Sequence, residues 1–375
     1  MSEMAKKVLV IGGGFAGMAA AIELAKRGMQ VELVEIDPGW RAYGAGISLG
    51  GATLRALQTL GILDRFLRAA HASDGVDICT PAGGLISQLP TPRLAGQEVP
   101  GGAGVMRPVL AGILASATRE AGVAVRLGVT FSSITQNEAG VEVAFTDGGT
   151  GRYDLLIGAD GLYSKVRTAL FPDAPAPAYS GQGVWRAVLP RPSEIERCTM
   201  WMGDMVKPGV NPVSAEEMYL FVTEDRAAHE RLDPAGFVDH LRGLLAPFPA
   251  PVLQAIRAQL GTQSQIIYRP LEGLLLKTWY QGRVVLVGDA VHATTPHLAS
   301  GACIGIEDGI VLAEELAVGG GIEAALSRFQ ARRWERCRMV VENSARLGVI
   351  ERTGGDKAEH AQIMQASHQA LAAPI

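Results

Sequence analysis

Residues 7–37 read KVLVIGGGFAGMAAAIELAKRGMQVELVEID, and this stretch decides the fold. The continuous apolar run that ends at Ile11 is typical of a parallel strand buried on both faces. A GxGxxG turn follows, then a run of good helix formers that Gly28 ends, and then a second apolar strand that ends at Glu35. This order of strand, glycine turn, helix and strand predicts the beginning of a doubly wound α/β domain.

The three glycines of the turn have separate expected roles. Gly12 permits the sharp turn, Gly14 lets the backbone approach a pyrophosphate, and Gly17 lets the helix pack closely on the strand. The helix N-terminus offers free N–H groups and a positive dipole end to that pyrophosphate. Glu35 lies 18 residues after Gly17, where an acid accepts hydrogen bonds from ribose hydroxyls. The stretch therefore predicts an adenine dinucleotide site, which suits NAD and FAD equally.

Composition limits the remaining possibilities. The chain has 375 residues, of which 48% are hydrophobic and 19% charged, as expected for a folded protein of two domains or one elaborated domain. A net charge of -4 gives no excess of positive charge for binding nucleic acid. No apolar run approaches the roughly 18 residues that span a membrane, and there is no signal-peptide pattern. The four cysteines have no metal-ligand spacing, so we expect no metal site and free thiols in a reducing cytoplasm.

Four later segments place small residues and single charges after predicted strands. They are RAYGAGI from Arg41, MRPVL around Arg107, GADGLYSKVR around Asp160, and GRVVLVGDAVHATTPHLASGACIGIEDG at 282–309. Together with GGGFAG, they resemble the class A flavoprotein aromatic hydroxylases, the group of para-hydroxybenzoate hydroxylase. Within that group the chain is most similar to salicylate hydroxylase and 6-hydroxynicotinate 3-monooxygenase. The segment 185–275 carries almost no family signature.

The resemblance implies an α/β fold with a Rossmann-like FAD-binding domain, a second, mostly antiparallel β-sheet substrate domain and a C-terminal helical segment. We expect the FAD-binding domain to be discontinuous and to comprise residues 1–75, 101–175 and 280–350. The substrate domain would comprise 76–100 and 176–279, and the C-terminal helix or tail would be 351–375.

The resemblance also implies which residues hold a tight, non-covalent FAD. Those expected at the pyrophosphate and the adenosine ribose are Gly12, Gly14, Phe15, Ala16, Gly17 and Glu35. Those expected along the phosphates, the ribityl chain and the adenine are Arg41, Arg107 and the strand around Phe131. A surface position is the alternative for Arg107.

Two aspartates and one loop complete the implied FAD site. Asp160 belongs to a motif that the family associates with FAD and nicotinamide cofactor together, and Asp289 would accept a hydrogen bond from a ribityl hydroxyl. Helix capping is the alternative role for both. The loop from Pro296 would run beside the isoalloxazine, with the N–H groups of Gly301 and Ala302 facing its pyrimidine end, where a helix start suits the negative charge of a reduced flavin.

The chemistry implied is that of an FAD-dependent, NAD(P)H-consuming monooxygenase. NADH or NADPH is a transient co-substrate, and O2 yields a flavin C4a-hydroperoxide that hydroxylates an aromatic or N-heteroaromatic ring, such as a hydroxypyridine, hydroxynicotinate or salicylate. A small aromatic substrate and a homodimer are family expectations. The alternatives are a related flavoprotein acting on a larger polyketide or quinolone, a dehydrogenase, and a flavin-binding redox-sensing protein without turnover.

Three residues are candidates for proton transfer. Ser48 lies where 6-hydroxynicotinate 3-monooxygenase has a histidine credited with accepting the substrate proton. A serine is no base at neutral pH, so it would relay a proton or hydrogen-bond the flavin. His297 is the expected titratable group near the substrate, with packing as its alternative role. Tyr219 alternates with apolar residues on a predicted strand and faces either the substrate ring or the core.

The substrate residues are less specified by the sequence. Phe221 shares the predicted strand face of Tyr219, Arg186 would pair with a substrate carboxylate, and Met205 would contribute to a pliable apolar wall. Two further predictions are structural. His292 is expected to be a buried structural histidine, and the arginines at 332, 333 and 336 are expected on a solvated helix face.

Overall fold

A computed structural model describes residues 5–203 and 206–375. Its strands, numbered along the chain, are β1 (Lys7–Ile11), β2 (Gln30–Glu35), β3 (Gly46–Gly50), β4 (His71–Ser73), β5 (Val76–Cys79), β6 (Leu85–Leu89), β7 (Gly102–Met106), β8 (Ala124–Leu127), β9 (Phe131–Asn137), β10 (Gly140–Phe145), β11 (Thr150–Tyr153), β12 (Leu155–Gly158), β13 (Ala178–Pro190), β14 (Cys198–Trp201), β15 (Lys207–Pro212), β16 (Glu217–Asp225), β17 (Ile266–Gly273), β18 (Tyr280–Gln281) and β19 (Val284–Leu286).

The α-helices are α1 (Phe15–Lys26), α2 (Gly51–Thr59), α3 (Leu63–Leu67), α4 (Arg107–Glu120), α5 (Lys165–Leu170), α6 (Phe237–Leu245), α7 (Pro251–Gln259), α8 (Asp289–His292), α9 (Gly301–Val318), α10 (Ile322–Thr353) and α11 (Lys357–Ala372). Short 3-10 turns span Pro234–Gly236 and Pro296–Leu298. No helix in the described ranges combines the length and the apolar character that a membrane crossing requires.

The first sheet has six strands in the order β18-β19-β12-β1-β2-β8. All neighbours pair in parallel except β18, which runs antiparallel to β19. The central strand β1 has four fully buried residues, from Val8 to Ile11, because helices or other strands cover both faces. The predicted strand–turn–helix–strand unit is therefore confirmed as β1, α1 and β2.

The second large sheet has seven strands in the order β17-β13-β16-β15-β14-β5-β6. Its pairs are antiparallel apart from the parallel pair β14 and β5. One face is covered by α6 and α7, which bury Trp185, Leu220 and Val222. The opposite face carries Tyr219, Phe221 and Arg186, since side chains alternate along β13 and β16.

Two three-stranded sheets, β11-β10-β9 and β3-β7-β4, complete the strand arrangement. The second one approaches the seven-stranded sheet closely because glycines leave room. A Cβ at Gly46 would overlap the ring of Tyr219, and a Cβ at Gly104 would overlap the carbonyl oxygen of Pro212. The seam between these sheets therefore brings β3 against β15 and β16.

The long helices α9 and α10 pack on α1 and on one another. Gly309 of α9 lies so close to the α1 backbone that a Cβ would overlap Ala20. The predicted α/β fold class, with a dinucleotide-type sheet, a second mostly antiparallel sheet and a C-terminal helical segment, is confirmed. Residues 357–372 form a helix, so most of the C-terminal segment is helical.

Candidate active site

The glycine turn has the geometry expected of a pyrophosphate site. Gly12 has φ +106°, and a Cβ there would overlap the backbone of Ala159, so only glycine fits. A Cβ at Gly17 would overlap the carbonyl oxygen of Gly12. Gly14 is exposed, and a Cβ there would meet only one atom, the oxygen of Ala159 at 4.0 Å. Because no neighbour among the described residues requires a glycine at position 14, the residue suits the close approach of a ligand.

Glu35 lies directly beside this turn. One carboxylate oxygen accepts the backbone N–H of Gly13 at 2.7 Å, and the other accepts that of Asp37 at 2.8 Å. The predicted contact residue Arg41 is exposed and pairs with Asp37 at 3.1 Å. Glu35 is thus held rigidly next to the turn, and each of its oxygens retains a further lone pair for a ribose hydroxyl.

Two predicted cofactor residues have other surroundings in the structure. Phe131 begins β9, which belongs to a separate three-stranded sheet. The strand that pairs with β2 is β8. Val129, which follows β8, donates its N–H to the carbonyl of Glu35 at 3.1 Å. Asp160 accepts the backbone N–H groups of Lys165 at 2.7 Å and Val166 at 3.1 Å. Asp160 therefore caps the start of α5, and its role at the cofactors stays a prediction.

The Gly288-Asp289 turn approaches the same region from β19. Gly288 has φ +61°, and its backbone packs on Ala16 of α1, where a Cβ would lie 2.8 Å away. Asp289 is exposed at the head of α8, and in the described parts of the chain no donor lies within hydrogen-bond distance of its carboxylate. Desolvation by the surrounding protein raises the pKa of Asp289, and the charges of His292 and Arg107 oppose that rise. This acceptor has the chemistry that a ligand hydroxyl requires.

A buried ionic cluster lies beneath the turn, and the sequence analysis missed it. Asp308 accepts hydrogen bonds from the N–H of Gly288 at 2.9 Å, from His292 at 2.6 Å and from Arg333 at 2.9 Å, and a longer one from the Cys337 thiol at 3.9 Å. Glu307 accepts from Arg333 at 3.0 Å and from Arg336 at 2.7 Å. The prediction of a solvated helix face was wrong for Arg333 and Arg336, whose side chains are 1% and 11% exposed, because α9 supplies two buried counter-charges.

The cluster fixes the charge of its histidine. Burial lowers the pKa of His292, but the charge and hydrogen bond of Asp308 outweigh this and hold it well above the usual range. One ligand atom each of His292, Asp308 and Cys337 lies within 4.8 Å of the others, a spacing that a metal could use. The guanidinium of Arg333 already occupies the Asp308 carboxylate, so we interpret the cluster as an ion-pair network that holds the turn.

The predicted flavin loop turns sharply before α9. It makes the 3-10 turn Pro296–Leu298, and Ala299 then adopts the left-handed conformation with φ +48°, which is strained for a residue with a Cβ. Helix α9 begins at Gly301, followed by Ala302, both half-buried. The first N–H groups of this 18-residue helix form a positive dipole end suited to negative charge.

His297 of this loop joins a second polar cluster. Its Nδ1 lies 2.9 Å from Thr295 Oγ1, and its Nε2 lies 3.7 Å from a carboxylate oxygen of Glu351. The other oxygen of Glu351 contacts His360 at 3.0 Å and Lys207 at 3.1 Å. Burial lowers the pKa of His297, against the opposing charge of Glu351. Its neighbours thus lie on α10, α11 and β15.

A hydrogen-bonded chain occupies the seam between the two sheets. Ser48 Oγ lies 2.6 Å from Tyr219 Oη and accepts from Asn211 Nδ2 at 2.7 Å. Tyr219 is 5% exposed, and burial raises its pKa to about 12, while the hydrogen bond to Ser48 opposes the rise. The structure thus brings the predicted residues Ser48 and Tyr219 together. The sequence did not identify Asn211, because its role depends on the register that places it on β15 directly opposite Tyr219 of β16.

The predicted substrate residues continue along the same sheet face. The ring of Phe221 lies 5.6 Å from that of Tyr219, and Arg186 is directly opposite Phe221 in the register of β13 and β16. Arg186 also lines a cavity of about 150 Å³ with Arg107 and Arg269. Met205 lies outside the described residues.

Comparison with known protein families and structures matches residues 5–344 of this chain to the FAD binding domain model FAD_binding_3. The chain belongs to this FAD-binding family. The resemblance to the class A flavin monooxygenases is therefore confirmed, and with it the assignment of the chain as a flavoprotein monooxygenase that binds FAD.

Members of the family differ in substrate. The chain is 32% identical over 350 residues to 2-heptyl-3-hydroxy-4(1H)-quinolone synthase of Pseudomonas aeruginosa, covering 92% of this chain and 90% of that protein. It is 30% identical to 6-hydroxynicotinate 3-monooxygenase of Pseudomonas fluorescens, covering 89% of each. The crystal structure of Klebsiella pneumoniae HpxO with FAD and uric acid matches with a TM-score of 0.83 at 26% identity, covering 98% of this chain and 92% of that one.

Proposed function

We propose that this flavoprotein consumes NADH or NADPH and O2 to hydroxylate a small aromatic or N-heteroaromatic ring that carries a hydroxyl or oxo group. The observation that carries the proposal is the hydrogen-bonded chain from Asn211 through Ser48 to Tyr219, which joins β3 to the seven-stranded sheet. A chain of this kind can hold a ring oxygen by a hydrogen bond without a charged base.

The FAD site would be assembled from the glycine turn and the Gly288-Asp289 turn. Gly12, Gly14, Phe15, Ala16 and Gly17 would meet the pyrophosphate, with Glu35 at the ribose and Arg41, Phe131 and Asp160 at the periphery. Asp289 and Arg107 would hold the ribityl side, and the loop from Pro296 to Gly301 and Ala302 would lie beside the isoalloxazine. When bound, FAD supplies the two-electron chemistry with NAD(P)H and the activation of O2.

Tyr219 is proposed as the group that contacts the ring oxygen. Since its pKa is about 12, it stays protonated at neutral pH. Asn211 donates to Ser48, so the hydroxyl of Ser48 is free to donate to Tyr219 Oη, and the proton of Tyr219 is then available to the substrate. In the reverse orientation, Tyr219 donates to Ser48 and its oxygen accepts a hydrogen bond from the ring hydroxyl, which polarises the O–H bond and makes the ring a better nucleophile. His297 would lie in the field of the Glu351 carboxylate, which also contacts the half-buried His360.

The substrate ring would lie against the face that carries Tyr219 and Phe221, with Arg186 at its polar end. A larger quinolone is the second candidate substrate, supported by the 32% identity to the quinolone synthase. The two candidates differ in charge and size, so a binding panel separates them.

Anaerobic flavin reduction tests the proposed function. The FAD-loaded protein is mixed with NADH or NADPH, and bleaching of the flavin band is followed with hydroxynicotinates, hydroxybenzoates, salicylates, hydroxypyridines and alkylquinolones. We expect one compound to accelerate bleaching greatly and, in air, to be converted to a product with one more hydroxyl. Reduction without oxygen insertion would instead indicate a dehydrogenase. Failure of NADH and NADPH to bleach the flavin across the whole panel would contradict the proposal.

The Asp289→Asn variant tests the FAD site separately. It preserves the shape of the turn but removes the charged acceptor, so the Kd for FAD should rise about tenfold or more, measured by fluorescence quenching of free flavin. Asp239→Asn, on the exposed face of α6, is the matched control and should leave the Kd unchanged. Equal Kd values for both variants would exclude Asp289 from FAD binding.

A further inference from the structure

The glycine turn after β1 contains one glycine that its motif does not require. The GxGxxG pattern fixes residues 12, 14 and 17 and leaves residue 13 free. In the structure, a Cβ at Gly13 would overlap the indole ring of Trp40. Residue 13 therefore has to be glycine for as long as the Trp40 ring lies against it.

The Trp40 indole is also hydrogen-bonded to this glycine. Its Nε1 donates to the carbonyl oxygen of Gly13 at 2.8 Å. The N–H of Gly13 donates in turn to Glu35 at 2.7 Å. Both backbone polar groups of Gly13 thus have partners in segment 35–40, so the peptide groups on either side of it cannot rotate without breaking a hydrogen bond.

The peptide group between Gly13 and Gly14 connects the indole to the predicted pyrophosphate site. A trans peptide is planar, so its C=O and its N–H point in opposite directions. Because Trp40 fixes the carbonyl of Gly13, it also fixes the direction of the N–H of Gly14. A peptide between two glycines has wide conformational freedom, and a site whose donors already point the right way loses less entropy when a ligand binds.

The backbone of Trp40 adopts a conformation that costs energy. Its φ is +46°, in the left-handed region that a residue with a large side chain rarely occupies. The N–H of Trp40 donates to the carbonyl of Asp37 at 3.0 Å, and the Asp37 carboxylate accepts from Gly39 at 2.7 Å and from Arg41 at 3.1 Å. Strain of this kind persists where several surrounding contacts impose it, and here those contacts direct the indole onto the glycine turn.

A cation lies over the same ring. The guanidinium of Arg119, from α4, is 4.7 Å from the centre of the Trp40 ring. The π electrons of an indole attract a cation at this distance. The ring is therefore held both by the backbone of the turn and by a side chain of the neighbouring helix.

We propose that Trp40 is a positioning residue for the adenosine diphosphate half of FAD, because its indole sets the direction of the Gly14 N–H. The alternative is that the ring only packs on the core of the FAD-binding domain, which it also contacts. The inference rests on the FAD binding of the family and not on the proposed hydroxylation, so its tests need neither substrate nor turnover.

The Trp40→Phe variant removes the N–H donor but keeps an aromatic ring. Loss of this hydrogen bond should raise the Kd for FAD about five- to tenfold, measured by fluorescence quenching of free flavin. ADP carries the same pyrophosphate and adenosine, so its Kd, measured by competition with FAD, should rise by the same factor. Trp334→Phe, at a half-buried position of α10, is the matched control and should change neither Kd.

A double variant tests whether the ring acts through residue 13. Gly13→Ala should weaken FAD binding in the wild type, since its methyl group overlaps the indole, but much less in Trp40→Ala, where the indole is absent. The Tm of each FAD-free protein reports on folding. A role in packing alone would lower that Tm for Trp40→Phe and leave both Kd values equal to those of Trp334→Phe.

Equal Kd values for Trp40→Phe and Trp334→Phe would overturn the proposal. A rise for FAD without one for ADP would also overturn it, as would losses of Gly13→Ala and Trp40→Ala that multiply in the double variant. If the binding results appear as expected while NADH and NADPH fail to bleach the flavin, the positioning role stands and the proposed reaction does not. If hydroxylation occurs and Trp40→Phe binds FAD like its control, the reaction stands and the positioning role is wrong.

Discussion

The Asp308→Asn substitution should destabilise the protein strongly although it changes only one atom. Asp308 is fully buried and accepts from Gly288, His292 and Arg333 at 2.6 to 2.9 Å, besides the longer contact with the Cys337 thiol. An asparagine has one acceptor oxygen and one NH2 group, so either orientation turns a donor towards a donor. Breaking one side of a buried ion pair costs about 3–5 kcal/mol, and we expect a loss in the free energy of unfolding of that size.

The assay is urea unfolding followed by tryptophan fluorescence, without FAD and with saturating FAD. Asp239→Asn, on the exposed face of α6, is the same chemical change and should shift the free energy of unfolding by less than about 0.5 kcal/mol. The Kd for FAD should also rise in Asp308→Asn, because the released N–H of Gly288 leaves the Asp289 turn unsupported. Superimposable urea transitions for the two variants would refute the idea that this cluster holds the turn.

Three further predictions follow from single contacts. Gly17→Ala should abolish FAD binding, since the new methyl group overlaps the carbonyl oxygen of Gly12. Gly112→Ala, at an exposed position of α4, is the control and should be tolerated or should stabilise the protein by about 0.5–1 kcal/mol. FAD retention and Tm are measured for both variants. Ser48→Ala should lower kcat about tenfold without changing the Kd for FAD. Adding Tyr219→Phe should lower kcat little more, because the two hydroxyls act as one chain. If the kcat losses of the two single variants multiply in the double variant, the two residues act independently and the chain is disproved. Burial raises the pKa of Glu351, but His360, His297 and Lys207 outweigh this and lower it to about 2. The Glu351 carboxylate therefore stabilises the fold by roughly 3 kcal/mol above about pH 4.5, and this stabilisation is lost as the pH falls towards 2. In urea unfolding, Glu351→Gln should lack this stabilisation at pH 7 and should lose less stability than the wild type on acidification.

The fold was predictable where the sequence signal is local. The glycine turn, the strands around it and the acid at Glu35 are set by conformations that only certain residues adopt, as the φ of +106° at Gly12 shows. The order of later motifs identified the family, because the segments around Arg107, Asp160 and Asp289 occur at its spacing.

The residues that the sequence did not reveal depend on partners far apart in the chain. Asn211 reaches Ser48 across 163 positions, and Arg333 meets Asp308 across 25. On a helix viewed alone, an arginine is best placed in solvent, so the buried position of Arg333 becomes predictable only once α9 is packed against α10. Trp40 lacked a signal for the same reason, since only the folded turn after β2 places its indole on Gly13, 27 positions away.

The assembly of the six-stranded sheet also constrains how the protein is made on the ribosome. Strand β12 has its buried residues Leu155–Ile157 between β1 and β19, yet β19 begins at Val284, 126 residues after β12 ends at Gly158. At a translation rate of about 5–20 residues per second, that interval lasts roughly 6–25 s. During this time the nascent chain presents an apolar strand with an unpaired edge, the kind of surface that aggregates or recruits chaperones. Folding of the FAD-binding sheet is therefore completed late in synthesis, and fragments that end before β19 should be insoluble when expressed alone.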